Sequence, residues 1–318
     1  MEYRKLISFG KSSFVVSLPK GWVVQNKLKK GDVIYFSGEN NNLILQPRRE
    51  TTAEEEKEIV IDVDNKSHLT ISREVCSAYI LNHRKITLKG KEVKAKVKDI
   101  QGIIQGLIAL EIMEQSPDAI VAKDFLDMEK VSMEELIRKM DLVTRTMFKE
   151  GCDIFEQKDN YESISERDKD VNRLYFLLYR SVLFNFENPS RMYKNFKLNS
   201  LDLLKINFAG YYIEMVADEV RRVARYTRQL QVGPAERKKL EQLLLKALEC
   251  YNQTMKSFYN KDSSLALQQS EVKDYFQQEL VDLEKLIPKV PHLHRVINRL
   301  ERLMVTVHNL GRLVYTLH

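Results

Sequence analysis

"SERDKDVNRLYFLLYR", Ser165 to Arg180, belongs to a half of the chain, from Ser132 onward, whose apolar residues recur with the 3.6-residue period of a helix. Breakers at Lys158–Asn160, Glu187-Asn188-Pro189, Gly233-Pro234, Lys261–Ser263 and Pro288–Pro291 divide this half into six long helices. Gly233-Pro234 places glycine just past one helix and proline just inside the next. It splits the six into three plus three. An internal repeat follows the same division: F-x-x-K-D occurs at Phe155–Asp159 and again at Phe258–Asp262, and Tyr-Phe follows at 175–176 and at 275–276. Two related three-helix bundles, residues 127–232 and 233–318, are the simplest architecture for this pattern.

Two carboxylate pairs stand out in the first bundle. Glu166 and Asp170 are four residues apart, as are Glu214 and Asp218 in "YYIEMVADEVRRVAR". That spacing stacks both carboxylates of a pair on one helix face, where like charges destabilise unless a cation lies between them. Four hard oxygen ligands from two helices suit a divalent or ferric metal ion. The same residues also allow a plainer reading. Ser163-x-x-Glu166 fits a capping box, and Arg222 or Arg225 could neutralise Asp218.

"ERDKD" and "EMVAD", within the pattern spanning residues 127–318, resemble PhoU, the phosphate-uptake regulator, whose repeated E(D)-x-x-x-D helices bind metal clusters. The resemblance implies Glu166, Asp170, Glu214 and Asp218 as ligands. The second repeat departs from it, keeping Glu301 but placing Val305 where an aspartate belongs, with Ala266 and Ser270 on the partner helix. The last helix carries an apolar stripe instead, Leu293, Val296, Leu300, Leu303, Val307, Leu310, Val314 and Leu317, which reads as core. His308, near Arg312, reads as solvated or hydrogen-bonded.

Ahead of the helices, residues 58–126 alternate strand and helix: "EIVIDV", His68–Asn82, "KITLKG", Glu92–Gly106, "LEIMEQ" and "AIVAKDF". This predicts a ferredoxin-like or similar open-sheet α/β domain. It has no glycine-rich loop, and His68 and His83 stand about four helical turns apart, too far to share a ligand sphere. An interaction or spacer role fits it best.

The first 49 residues hold nine Lys and Arg against three acids, an excess equal to the net charge of +6 on the whole 318-residue chain. A basic small module on a neutral body points to a polyanion, most often nucleic acid. Gly10-Lys11-Ser12 is not a P-loop, because Lys5 stands where that motif needs its first glycine and a strand pattern follows where it needs a helix. The segment reads as a strand over 3–18 bent at Gly10, a helix over Pro19–Leu28, a Gly31-Asp32 turn, and strands Val33–Ser37 and Leu43–Gln46 around "GENNN". A unit this small cannot bury a core alone, which predicts a homodimer. Trp22, the one tryptophan, belongs in that dimer core.

RKL-x3-G-K, V-x-LPK-G, L-x3-GD-x-I-x-F and NLILQP, in this order over residues 1–47, resemble the AbrB/SpoVT (looped-hinge) swapped-hairpin DNA-binding domain. That resemblance implies DNA contacts from Arg4, Lys5 and Lys11 around the bend and from Lys20, Lys27, Lys29 and Lys30 on the helix and turn. Lysine lacks arginine's bidentate fork for guanine, so these contacts are expected at phosphates more than at bases.

No apolar run approaches the roughly 18 residues of a membrane span, and the start lacks the apolar core of a signal peptide, which predicts a cytoplasmic protein without membrane insertion. Cys76, Cys152 and Cys250 lie too far apart for a zinc knuckle or a disulfide framework. The chain reads as multidomain α+β, with a β-rich N-terminal domain, the α/β domain and the all-α double bundle. In this order the three resemble archaeal DNA-binding PhoU proteins, which implies a transcription regulator of phosphate homeostasis. A PhoU-type accessory protein that regulates a phosphate transporter or a kinase by protein contact, its N-terminal module serving only to dimerise, is the alternative, with a phosphate transporter or signalling protein as its partner. No nucleophile–base pair, glycine loop or histidine metal motif argues for an enzyme.

Overall fold

The structure is a computed structural model that describes residues 3–39, 42–47, 56–156, 158–187, 189–286 and 290–316. The chain divides into two compact units, Met1–Glu55 and Glu56–His318. Most of the charged linker over Gln46–Lys57 lies outside the described residues.

In the first unit, β1 (Ile7–Phe9) and β2 (Ser13–Val15) pair antiparallel with Ser8 opposite Phe14. The predicted bent strand is therefore a tight hairpin. Gly10 makes it possible, since its φ of +70° is cheap only without a Cβ. Helix α1 (Lys20–Gln25) is shorter than predicted; Pro19 stands at its N-cap position without a side-chain capping bond, and Lys27, at φ +54°, turns the chain away. The turn at Gly31-Asp32 forms as read, with Lys29 N–H donating to Asp32 Oδ2 at 2.7 Å. Strands β3 (Tyr35–Glu39) and β4 (Asn42–Gln46) make a second hairpin, whose tip falls outside the described residues. No described side chain of this unit is buried, Trp22 included. Leu6, Ile7, Phe9, Phe14, Val24 and Phe36 are all exposed.

The second unit opens with β5 (Glu58–Asp62), α2 (His68–Ile80), β6 (Lys85–Lys89), α3 (Val93–Gln105), β7 (Leu110–Gln115) and β8 (Ala119–Asp124). The sheet order is β5-β6-β8-β7, with β5 and β6 parallel and the other pairs antiparallel. This corrects the ferredoxin-like expectation. That fold runs β-α-β-β-α-β, whereas here both helices come before the final hairpin, and the hairpin brings β8 against β6. Serine sets the hairpin turn: Ser116 N–H donates to Ala119 O at 2.8 Å, and its hydroxyl donates to Asp118 at 2.6 Å. Ile71, Val75 and Tyr79 of α2 and Ile100, Ile103 and Ile104 of α3 cover one face of the sheet.

The helical part consists of α4 (Met133–Phe155), α5 (Tyr161–Glu187), α6 (Pro189–Phe196), α7 (Ser200–Thr227), α8 (Pro234–Asn260), α9 (Ser263–Leu286) and α10 (Leu293–Thr316). The six predicted helices are present, and Pro189 starts an additional short one, α6, between the second and third. Helices α4, α5 and α7 pack on one another, as do α8, α9 and α10, and one continuous core joins the two sets along α7 and α10. Gly233 and Pro234 stand at the N-cap and N1 of α8. The α10 stripe from Leu293 to Val314 is buried; Leu317 lies outside the described residues. His308 has its Nδ1 buried without a partner among the described residues, and burial, then Lys273 and Arg312, lower its pKa.

Candidate functional site

Helices α5 and α7 meet at Gly210, where an added Cβ would collide with the Leu178 side chain. The absence of a side chain lets the two backbones approach closely, and one turn further along α7 the interface becomes polar. Asp168 of α5 is buried, and Arg221 Nε of α7 lies 3.0 Å from its Oδ2 as an ion pair. Arg221 Nη2 also donates to Asp218 Oδ1 at 2.5 Å, and Arg222 Nη2 holds Asp218 Oδ2 at 2.5 Å. Arg222 Nη1 continues to Glu219 Oε1 at 2.8 Å. The buried Glu219 carboxylate in turn receives Arg299 of α10 at 3.3 Å. The result is a polar seam of four acids and three arginines running from α5 across α7 to α10.

Glu214 is the acid without a cation of its own on this seam. Burial, reinforced by the neighbouring Asp218 and Asp168 carboxylates, pushes its pKa up to about 7, with Arg222 and Arg221 offsetting part of the effect. Burial likewise raises Asp168, with Arg221 pulling the other way. Tyr175, close enough to feel Glu214, is raised to about 12 by burial first. A carboxyl that exchanges its proton near neutrality in a half-dry seam can serve as a charge switch.

The four predicted metal ligands do not form one set. Glu166 and Asp170 are exposed and pair locally, with Lys169 at 2.6 Å and Arg173 at 3.6 Å. Glu214 and Asp218 do face the seam, and Asp168, absent from the predicted set, completes it. Arginines already occupy two of these three acids, and no group of three or more metal-ligating side chains among the described residues is arranged to hold an ion. The plainer reading of Asp218, neutralised by Arg222, is the one the geometry supports. Helical phase could have found Asp168, which falls between Ile164 and Val171 on the buried stripe of α5.

The predicted DNA-contacting residues sit in the first unit. Arg4 and Lys5 precede β1, Lys11 lies in the β1–β2 turn, Lys20 opens α1, and Lys27, Lys29 and Lys30 lie between α1 and β3. All seven are exposed. Arg4 Nη1 donates to the Tyr3 carbonyl at 3.1 Å.

No helix among the described residues is long and apolar enough to cross a membrane. No curated protein matches the chain. Among solved structures, that of PhoU from Pseudomonas aeruginosa is similar, at 17% identity and a TM-score of 0.46, covering 58% of this chain and 94% of that one. All of the seam except Arg299 lies on α5 and α7, inside residues 137–227, and that segment matches the family model of the PhoU domain.

Proposed function

We propose that this chain regulates phosphate uptake as a dimeric DNA-binding protein, its helical half sensing a partner or effector and its basic first unit carrying the response to DNA. The role is regulatory and not catalytic. The match of residues 137–227 to the PhoU domain supports the link to phosphate. The observation that carries the DNA reading is the exposure of all seven cations within residues 1–49, where the excess of positive charge equals the +6 of the whole chain. On this reading a divalent or ferric ion reaches the seam only by displacing Arg221 and Arg222, and Glu214 and Asp218, with Asp168, are the residues that would take it.

The test is the salt dependence of duplex binding by the full chain. Each phosphate contact contributes a slope of about −0.9 in log affinity against log salt. In a dimer Lys11→Ala removes two contacts, so the slope should flatten by about 1.8. Binding that is absent, or that keeps the wild-type slope in Lys11→Ala and Lys5→Ala, overturns this reading in favour of regulation by contact with a phosphate transporter or signalling protein.

A further inference from the structure

The repeated F-x-x-K-D motif ends the first helix of each bundle, and its two copies have diverged where charge matters. In the first copy Lys158 is neutralised: Glu156 lies 2.7 Å and Asp153 3.9 Å from its ammonium. In the second, the positions matching Glu156 and Asp153 are Tyr259 and Lys256. Lys261 accordingly has no carboxylate partner among the described residues. The spaces beside the two motifs differ as well. Next to Phe155 lies a shallow cleft of about 200 Å³, whereas next to Phe258 lies a cavity of about 390 Å³. The larger volume falls in the range of roughly 300–1,000 Å³ typical of small-molecule sites.

The floor of this cavity is apolar, formed by Met133, Ile137, Ile206, Phe258 and Val314. Five charged side chains stand around it: Arg138, Lys205 and Lys261 against Glu134 and Asp202. Both acids are already engaged. Glu134 accepts from Arg138 at 2.8 Å, and Asp202 Oδ2 accepts the Asn199 N–H at 2.9 Å in the α7 capping box. Arg138 is itself held in place, its guanidinium 4.6 Å from the centre of the Tyr259 ring. Lys205, like Lys261, has no carboxylate partner among the described residues. An apolar chamber with one unit of uncompensated positive charge at its rim suits a ligand with an apolar body and one negative charge.

We propose that this cavity binds a small amphipathic monoanion, an apolar body ending in a single carboxylate that Lys205 and Lys261 receive. A phosphate monoester, at about −1.5 to −2 near pH 7, would overshoot the charge of the rim. The cavity shares α7 with the acid–arginine seam but none of the seam's residues line it, and it does not depend on whether the first unit binds DNA.

The test is calorimetric titration of the full chain with decanoate, decanol and decyl phosphate. Decanoate should bind saturably at one site per chain, and more tightly than either of the others. The combined Lys205→Gln, Lys261→Gln variant should lose about tenfold or more in decanoate affinity, the effect of a charge-assisted contact, while decanol binding stays as in the wild type. Lys158→Gln, at the matching position of the other bundle, should change nothing. Ile206→Trp should fill the chamber and abolish binding of both decanoate and decanol; should that variant not fold, the surface lysine variants still decide. Absence of saturable decanoate binding, wild-type affinity in the double lysine variant, or tighter binding of decyl phosphate overturns the assignment.

Discussion

Arg180 Nη2 donates a 2.6 Å hydrogen bond to Asp124 Oδ2, and both side chains are fully closed to solvent. The pair joins α5 to the last strand of the α/β layer. Arg84 shares the same carboxylate, Arg180 Nε donates to Asn82 Oδ1 at 2.9 Å, and its guanidinium lies 4.5 Å from the centre of the Tyr79 ring. Phe176, one turn earlier on α5, packs against the core of the sheet domain. Helix α5 is thus shared: its N-terminal half carries Asp168 into the seam, and its C-terminal half is anchored in the neighbouring layer.

Breaking this tie from the acid side should cost more than from the basic side. Asp124→Asn leaves two guanidiniums facing a neutral amide in a dry site, a loss of about 3–5 kcal/mol. Arg180→Met leaves Asp124 still paired with Arg84 and fills the space with apolar atoms, so its cost should be smaller. Urea denaturation of the two variants measures the difference. Equal losses would mean that Arg84 contributes nothing to the pair.

Gly210→Ala sets helix propensity against packing. Alanine gains about 1 kcal/mol in a helix interior, but its methyl group enters the space of Leu178, which is fully buried and cannot swing aside. Overpacking of this kind costs about 1–3 kcal/mol, so a net loss is expected. Adding Leu178→Ala should recover part of it, giving a coupling of at least ~0.5 kcal/mol in a double-mutant cycle. Additive effects would show that α5 and α7 are not held together at this point.

The raised pKa of Glu214 makes stability depend on pH. Between its ordinary value of 4.5 and about 7 the folded protein keeps a proton that the unfolded chain has released. Stability therefore falls as pH rises through that window. Glu214→Gln removes this titration. Relative to wild type the variant should gain up to ~3 kcal/mol between pH 5 and pH 8, with partial solvent contact reducing the figure. Parallel stability profiles for the two proteins would place the Glu214 carboxyl in water.

Glu166 and Asp170 face solvent, each with its own cation, so Glu166→Gln with Asp170→Asn should leave any metal content of the purified protein unchanged. Elemental analysis after incubation with iron or zinc checks this. A fall in bound metal would show that the exposed pair, and not the seam, supplies ligands.

Element positions were legible because each had a local cause. Ser67 and Ser132 cap α2 and α4, Gly233-Pro234 opens α8, and β7 and β8 follow the alternation of their residues. What local pattern does not encode is which element lies beside which. The β5-β6-β8-β7 order depends on where the final hairpin docks, and the ferredoxin-like expectation failed there. The same gap affected the site. Four-residue spacing marks carboxylates that share a helix face but does not say which face is turned inward, so it points to Glu166 and Asp170 and passes over Asp168. The ion pairs of Arg221 with Asp168 and of Arg299 with Glu219 join residues 53 and 80 positions apart, beyond the reach of any periodicity.

The first unit has two hairpins, a six-residue helix and no buried side chain among its described residues, while Leu6, Phe9, Phe14 and Phe36 are exposed to 62–71%. A chain of this size with that much bare apolar surface cannot offset its own conformational entropy, and a second copy presenting the same surface is the simplest cover. The second unit has its own cores in the sheet domain and the bundle. Removing residues 1–55 should therefore leave a folded helical monomer with an unchanged melting transition and about two-fifths of the wild-type dimer's mass by light scattering. In the full chain, Phe9→Asp and Phe14→Asp should each weaken the dimer without unfolding the bundle, and dissociation should follow concentration by mass action. A dimer that survives deletion of residues 1–55 would move the interface to the helices and leave the apolar surface of the first unit to another partner.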